Sequence, residues 1–163
     1  LLLAGTGRGR ADPVRADLVR ADPVRVLMHA LLSDDAGLRQ RAADTARRVT
    51  EKRPDVLETE AEGVIGAFSE CGGDNWRTRA HLGLVAARVA HTRTQRLRVA
   101  GLLMPLLYDP SNVVRCTAIE GLGILARREP RLRAQFECVA REALSTGTLA
   151  MRNRALHGLE RLG

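Results

Sequence analysis

An apolar residue followed by Arg, with Ala three positions after that Arg, occurs four times along the chain. The matches are Leu38-Arg39 with Ala42, Trp76-Arg77 with Ala80, Val114-Arg115 with Ala118, and Met151-Arg152 with Ala155. The arginines stand 38, 38 and 37 residues apart. A fixed period of this size marks stacked supersecondary units, because one such unit cannot bury its apolar face alone. Around each match a mostly apolar stripe continues at offsets 0, +4, +7, +8 and +11, one face of a helix with about 3.6 residues per turn. The stripes read Leu38, Ala42, Thr45, Ala46, Val49; Trp76, Ala80, Gly83, Leu84, Ala87; Val114, Ala118, Gly121, Leu122, Leu125; and Met151, Ala155, Gly158, Leu159, Leu162. Gly or Ala in mid-stripe lets neighbouring helix backbones come close.

A second set of stripes lies between these A helices. It reads Val24, Met28, Leu31, Leu32; Ala61, Ile65, Phe68, Ser69; Val99, Leu103, Leu106, Leu107; and Phe136, Ala140, Ala143, Leu144, with starts 37, 38 and 37 apart. Two stripes on one period predict alternating helices: B 22–32, A 36–50, B 54–69, A 74–90, B 94–108, A 112–127, B 130–145 and A 148–162. Pro54 and Pro130 each fall fifteen residues after a stripe Arg and suit the first turn of a B helix, where proline sacrifices no intrahelical hydrogen bond. Asp34 or Asp35, Asp74 and Asp109 precede A helices as expected N-caps. Pro105, inside a B helix, is expected to bend it, because the Gly101 carbonyl loses its partner.

Composition agrees with close-packed helices. Aromatic residues make up 2% of the chain, so Leu, Val and Ala must fill the core. The length of 163 residues fits one domain, with residues 1–11 Gly-rich and flexible, Asp12-Pro13 and Asp22-Pro23 as separate helix starts, and repeats near 12–33 (partial), 34–71, 72–108, 109–145 and 146–163 (partial). No apolar run approaches the roughly 18 residues that cross a bilayer, and a cytoplasmic location is the expectation. Cys71, Cys116 and Cys138 form no CxxC pair, which points to a reducing compartment and to neither a disulfide framework nor a zinc site. The chain opens on Leu1 rather than Met, so a longer parent polypeptide or a lost start is expected. A stack that starts on a B helix and stops on an A helix leaves apolar ends, which calls for further repeats or self-association.

The stretch Asp109-Pro110-Ser111-Asn112-Val113-Val114-Arg115-Cys116-Thr117-Ala118-Ile119-Glu120-Gly121-Leu122 resembles the HEAT repeat family, whose units read Asp-Pro, a gap, Val-Arg, then Ala and Leu at helical spacing. The resemblance covers about residues 22–162; the fourth copy offers Ser145-Thr146-Gly147-Thr148 where the Asp would stand. It implies an all-α fold, an α-solenoid or right-handed superhelix of about four HEAT-like helix pairs, with B helices lining the concave surface. It also implies that the repeated Arg39, Arg77, Arg115 and Arg152 pair with Asp across neighbouring repeats and serve the stack rather than a ligand.

The formal charge is +7 and uneven: residues 51–70 hold six acids against Lys52 and Arg53, whereas residues 71–163 hold fifteen Arg against seven acids. The arginines outside the repeat pattern, Arg93, Arg96, Arg98, Arg127, Arg128, Arg131, Arg133 and Arg141, are the candidates for partner binding, the alternative being a solvated basic surface. The expected function is a non-catalytic scaffold that binds a protein partner with an acidic surface; the alternative is nucleic-acid binding through the phosphate backbone. Trp76 could stack on a base, as in alkylpurine DNA glycosylases, which are similar in being built on HEAT-like repeats, but its place on the stripe predicts burial. His29, His81, His91 and His157 have no partner at metal-ligand spacing, so no metal or cofactor is expected. Cys116 beside Arg115, and Ser145 with His157, make no nucleophile constellation, although Arg115 could lower the thiol's pKa. Gly5-Thr6-Gly7-Arg8-Gly9 follows no strand and is no phosphate loop.

Overall fold

The computed structural model describes residues 22–163, so the expectations for residues 1–21, including Asp12-Pro13 and the glycine-rich start, lie outside the described residues. The described residues form eight α-helices and no strand: α1 Pro23–Leu31, α2 Ala36–Lys52, α3 Ala61–Glu70, α4 Trp76–Val89, α5 Arg93–Leu103, α6 Asn112–Arg128, α7 Arg133–Thr146 and α8 Leu149–Glu160. The even-numbered helices are the A helices of the sequence pattern and the odd-numbered ones the B helices. No described helix is long and apolar enough to cross a membrane.

The helix starts follow local chemistry. Asp22 accepts from the Val24 amide at 3.0 Å, Asp35 from Leu38 at 2.8 Å, Asn75 from Thr78 at 3.1 Å and Thr148 from Met151 at 3.4 Å. Thr92 and Gln95 form a reciprocal capping box at the head of α5. Asp74 and Asp109 are not caps, contrary to expectation: Asn75 and Ser111 hold those positions, and both carboxylates turn to arginines. Pro54 and Pro130 open 3-10 segments, Pro54–Glu60 and Pro130–Leu132, so α3 starts seven residues later than the sequence implied. At Pro105 the chain does not bend within an α-helix. Helix α5 ends at Leu103 and continues as a 3-10 segment, Met104–Tyr108, because proline has no N–H for the Gly101 carbonyl.

One hydrophobic cluster runs from Met28 on α1 to Ala155 on α8. Each A helix packs on the B helix before it, and consecutive A helices pack on one another in the order α2, α4, α6, α8. The mid-stripe glycines make that order close. Leu103 of α5 fills the space over Gly83 on α4 and Gly121 on α6, where an added Cβ would lie 3.1 and 2.9 Å from its methyl groups. Phe136 of α7 does the same between Gly123 on α6 and Gly158 on α8. Leu84 and Leu122 are buried and Leu159 is half-buried. Leu32, Leu38, Thr45, Ser69 and Trp76 are exposed members of the stripes; Leu38 and Trp76 hold offset 0 in the first helical turn, and Leu32 is the C-cap of α1. Helix α8 buries only Ala155 fully and leaves Leu149 and Leu156 exposed.

Candidate functional site

Four arginines tie each A helix to the loop ahead of it. Arg39 donates to the Ser33 carbonyl at 2.7 Å, Arg79 to that of Asp74, Arg115 to that of Asp109 at 2.9 Å, and Arg152 to that of Gly147 at 3.0 Å. Two of them also reach the next unit. Arg39 forks onto both oxygens of Asp74, and Arg79 onto both of Asp109 at 2.9 and 3.2 Å. Such two-point pairs fix geometry as well as charge. Burial alone would raise the Asp109 carboxyl, but the hydrogen bond from Arg79, with the Ser111 amide and the charge of Arg79, outweighs it and holds the group below the ordinary carboxylate range.

The place of Arg77 in this series is corrected. Every arginine of the series is the fourth residue after its cap, namely Asp35, Asn75, Ser111 or Thr148. In the second unit the cap lies two residues closer to the stripe, because Cys71–Gly73 forms a 3-10 turn and α4 starts late. Arg79 therefore takes the position, and Arg77 lies outside, 4.6 Å from the centroid of the Trp76 ring. Trp76 is half on the surface beneath it and not in the core. Aligning the copies on caps instead of apolar residues would have found Arg79.

A second series joins the C-terminal ends of the A helices. Arg88 donates to the Arg47 carbonyl and Arg128 to the Arg88 carbonyl, each at 2.9 Å. A cation there also meets the negative end of the helix dipole. Burial pushes both guanidinium pKa values down. Arg128 thus belongs to the fold. So does Arg96, 3.5 Å from buried Glu129 and bonded to the His91 carbonyl at 2.7 Å, whereas Arg98 makes only an exposed ion pair, 3.1 Å from Glu62. The other sequence candidates, Arg93, Arg127, Arg131, Arg133 and Arg141, are exposed and have no side-chain hydrogen bond or ion pair among the described residues.

Only Arg127 of these five lines a recess of about 520 Å³ that runs across the A helices. At one flank are Glu51, the end of α2, and Glu58 in the 3-10 segment; at the other are Arg127 of α6 and Arg154, His157 and Arg161 of α8. Ile124 lies between them. In the middle, Glu120 sits 3.8 Å from Arg88 and 2.8 Å from Arg154, so those charges answer one another. Arg127 and Arg161 have no such partner among the described residues. The close approach of α6 and α8 at Gly123 and Gly158 brings these basic side chains to one mouth. The recess is lined mainly by A helices, with Pro54 and Glu58 from the segment expected as a B helix, and it includes Arg154, His157 and Arg161, which the sequence patterns did not single out. Their signal was their spacing along one face of α8 at three and four residues.

A smaller polar cavity of about 280 Å³, lined by Gln40, Arg41, Asp44, Arg77 and His81, opens between α2 and α4. Burial pushes the His81 pKa down, against the pull of Asp44, whose carboxylate is 3.9 Å from Nδ1. Among the described residues no group of three His, Cys, Asp or Glu is placed to hold a metal. Cys116 is corrected in direction: burial raises its pKa, and the nearby Arg154 and Arg115 do not overcome it. No family model and no curated protein matches the chain.

Proposed function

We propose that the chain is a HEAT-like helical-repeat scaffold that binds an acidic segment of a protein partner in the recess across its A helices. The order α2, α4, α6, α8, with glycines at the close approaches, supports a stack that is tighter on the A side than on the B side. The observation that carries the reading is that Arg127 and Arg161 face the recess without a side-chain partner among the described residues. A cation that stabilises nothing internally can bind an anion without first giving up a contact. Phosphate-backbone binding is less well supported, because a nucleic-acid strand carries its charge along its whole length and would run on past Arg127 and Arg161 to Glu51 and Glu58, whereas an acidic peptide segment can end at the basic flank.

The test is fluorescence anisotropy with a labelled all-glutamate peptide, measured against the protein and an Arg127→Glu/Arg161→Glu variant. Binding should weaken by about a hundredfold, on the order of 3 kcal/mol for two charge-assisted contacts. Helicity and the unfolding midpoint should stay unchanged. Equal binding by both proteins would remove the recess from consideration. Oligonucleotide binding that survives this variant but is lost in Arg93→Glu/Arg131→Glu/Arg133→Glu would favour the phosphate reading.

A further inference from the structure

The fold leaves charges unanswered at both ends of the recess, and their signs are opposite. At the α2 end, Glu58 has no side-chain hydrogen bond or ion pair among the described residues, although its charge acts on Arg128 in the same lining, and Glu51 has an exposed contact to Arg47 at 3.3 Å and acts at longer range on Arg88. Exposed pairs within one helix of this kind contribute little. At the α8 end, Arg127 and Arg161 are open. The middle is closed, with Glu120 held between Arg88 and Arg154 beside the apolar Ile124. The helix order puts α2 and α8 at opposite limits of the stack. With Arg88 and Arg128 engaged on backbone carbonyls in between, the recess thus runs from the carboxylates of Glu51 and Glu58 at one limit to the unpaired guanidiniums of Arg127 and Arg161 at the other.

From this sequence of charges we infer that the partner segment is bipolar, with carboxylates over α6 and α8, small or apolar side chains over Ile124, and a lysine or arginine over Glu51 and Glu58. This rests on the recess reading above and specifies its partner. Three interhelical steps of roughly 8–10 Å span about 24–30 Å, which an extended chain covers in about seven to nine residues at ~3.3 Å each. The segment is therefore short and linear, and one charge reversal along it suffices for complementarity. An all-acidic segment would set like charges together at the α2 end, which costs affinity.

The test uses three labelled peptides of about nine residues: glutamates then alanines then lysines, the same composition in reverse order, and glutamates throughout. One of the two bipolar peptides should bind about tenfold tighter than the all-glutamate peptide at low salt. In a Glu51→Lys/Glu58→Lys variant the preference should invert. Equal or tighter binding of the all-glutamate peptide to the unaltered protein, an unchanged ratio in the variant, or no binding of any peptide would overturn the inference. The Arg127→Glu/Arg161→Glu variant separates the two failures. If it abolishes binding while the glutamate reversal changes nothing, the recess stands and only the bipolar partner falls; if it has no effect, both fall.

Discussion

Replacing Gly158 with alanine should destabilise this protein, and the same replacement should stabilise it once Phe136 has been shortened. Phe136 is fully buried and its ring edge rests on the backbone of α8. A Cβ on Gly158 would overlap Cζ of that ring and lie 3.0 Å from Cε1. The ring is wedged between the backbones of α6 and α8, which approach each other at Gly123 and Gly158, so it has little room to retreat. Overpacking of this sort costs roughly 1–3 kcal/mol, and alanine returns about 1 kcal/mol of helix propensity, which leaves a net loss of up to about 2 kcal/mol. Phe136→Leu removes the ring edge at a cost on the order of 1–2 kcal/mol. In that background the clash is gone and the propensity gain remains, so Gly158→Ala should add about 1 kcal/mol. Urea unfolding followed by circular dichroism reads all four proteins, and the coupling should be at least ~1 kcal/mol. Additive effects would refute the reasoning, since they would mean that α6 and α8 are not held apart by this ring.

Other outcomes follow from the arginine series. Arg79→Ala should cost about 2 kcal/mol, because it leaves the buried Asp109 carboxylate without its fork, whereas Arg77→Ala should change stability by less than about 0.5 kcal/mol; equal effects would restore Arg77 to the stack. The depressed Asp109 pKa contributes stability that is present above the unfolded value of about 4 and lost as pH falls through the folded value. Asp109→Asn should therefore have a lower urea midpoint than the unaltered protein at neutral pH, and the gap should shrink as pH falls below the ordinary carboxylate range; a constant gap would refute the pairing. Burial pushes the Cys71 thiol up to about 12 and also raises that of Cys116, while Cys138 is exposed. Alkylation of the native protein, read by mass spectrometry, should label Cys138 first, and the other two only on unfolding; early labelling of Cys71 would contradict its burial.

The helices were legible because their signal is local and repeated. Each of the eight overlaps one of the segments that the two stripes outlined, although the boundaries differ and α3 starts well inside its segment, since a 3.6-residue period with Ala and Gly in mid-stripe allows only one side of each helix to be buried. What the stripes did not encode was the cap register. A two-residue delay at Cys71–Gly73 leaves Ala80, Gly83 and Leu84 in the core, yet moves the pairing arginine from Arg77 to Arg79 and leaves Trp76 outside. Apolar periodicity reports which face is buried, not where the helix begins. The site was less legible for a related reason. Arg96, Arg98 and Arg128 are indistinguishable in sequence from Arg127, and only the fold brings them to Glu129, Glu62 and the Arg88 carbonyl. Arginine count therefore measured how much cation the chain carries, whereas binding depends on how much the fold leaves unanswered. Within the recess that remainder is Arg127 and Arg161, because among the described residues its α8 end has no further carboxylate to meet them once Glu120 is held by Arg154 and Arg88.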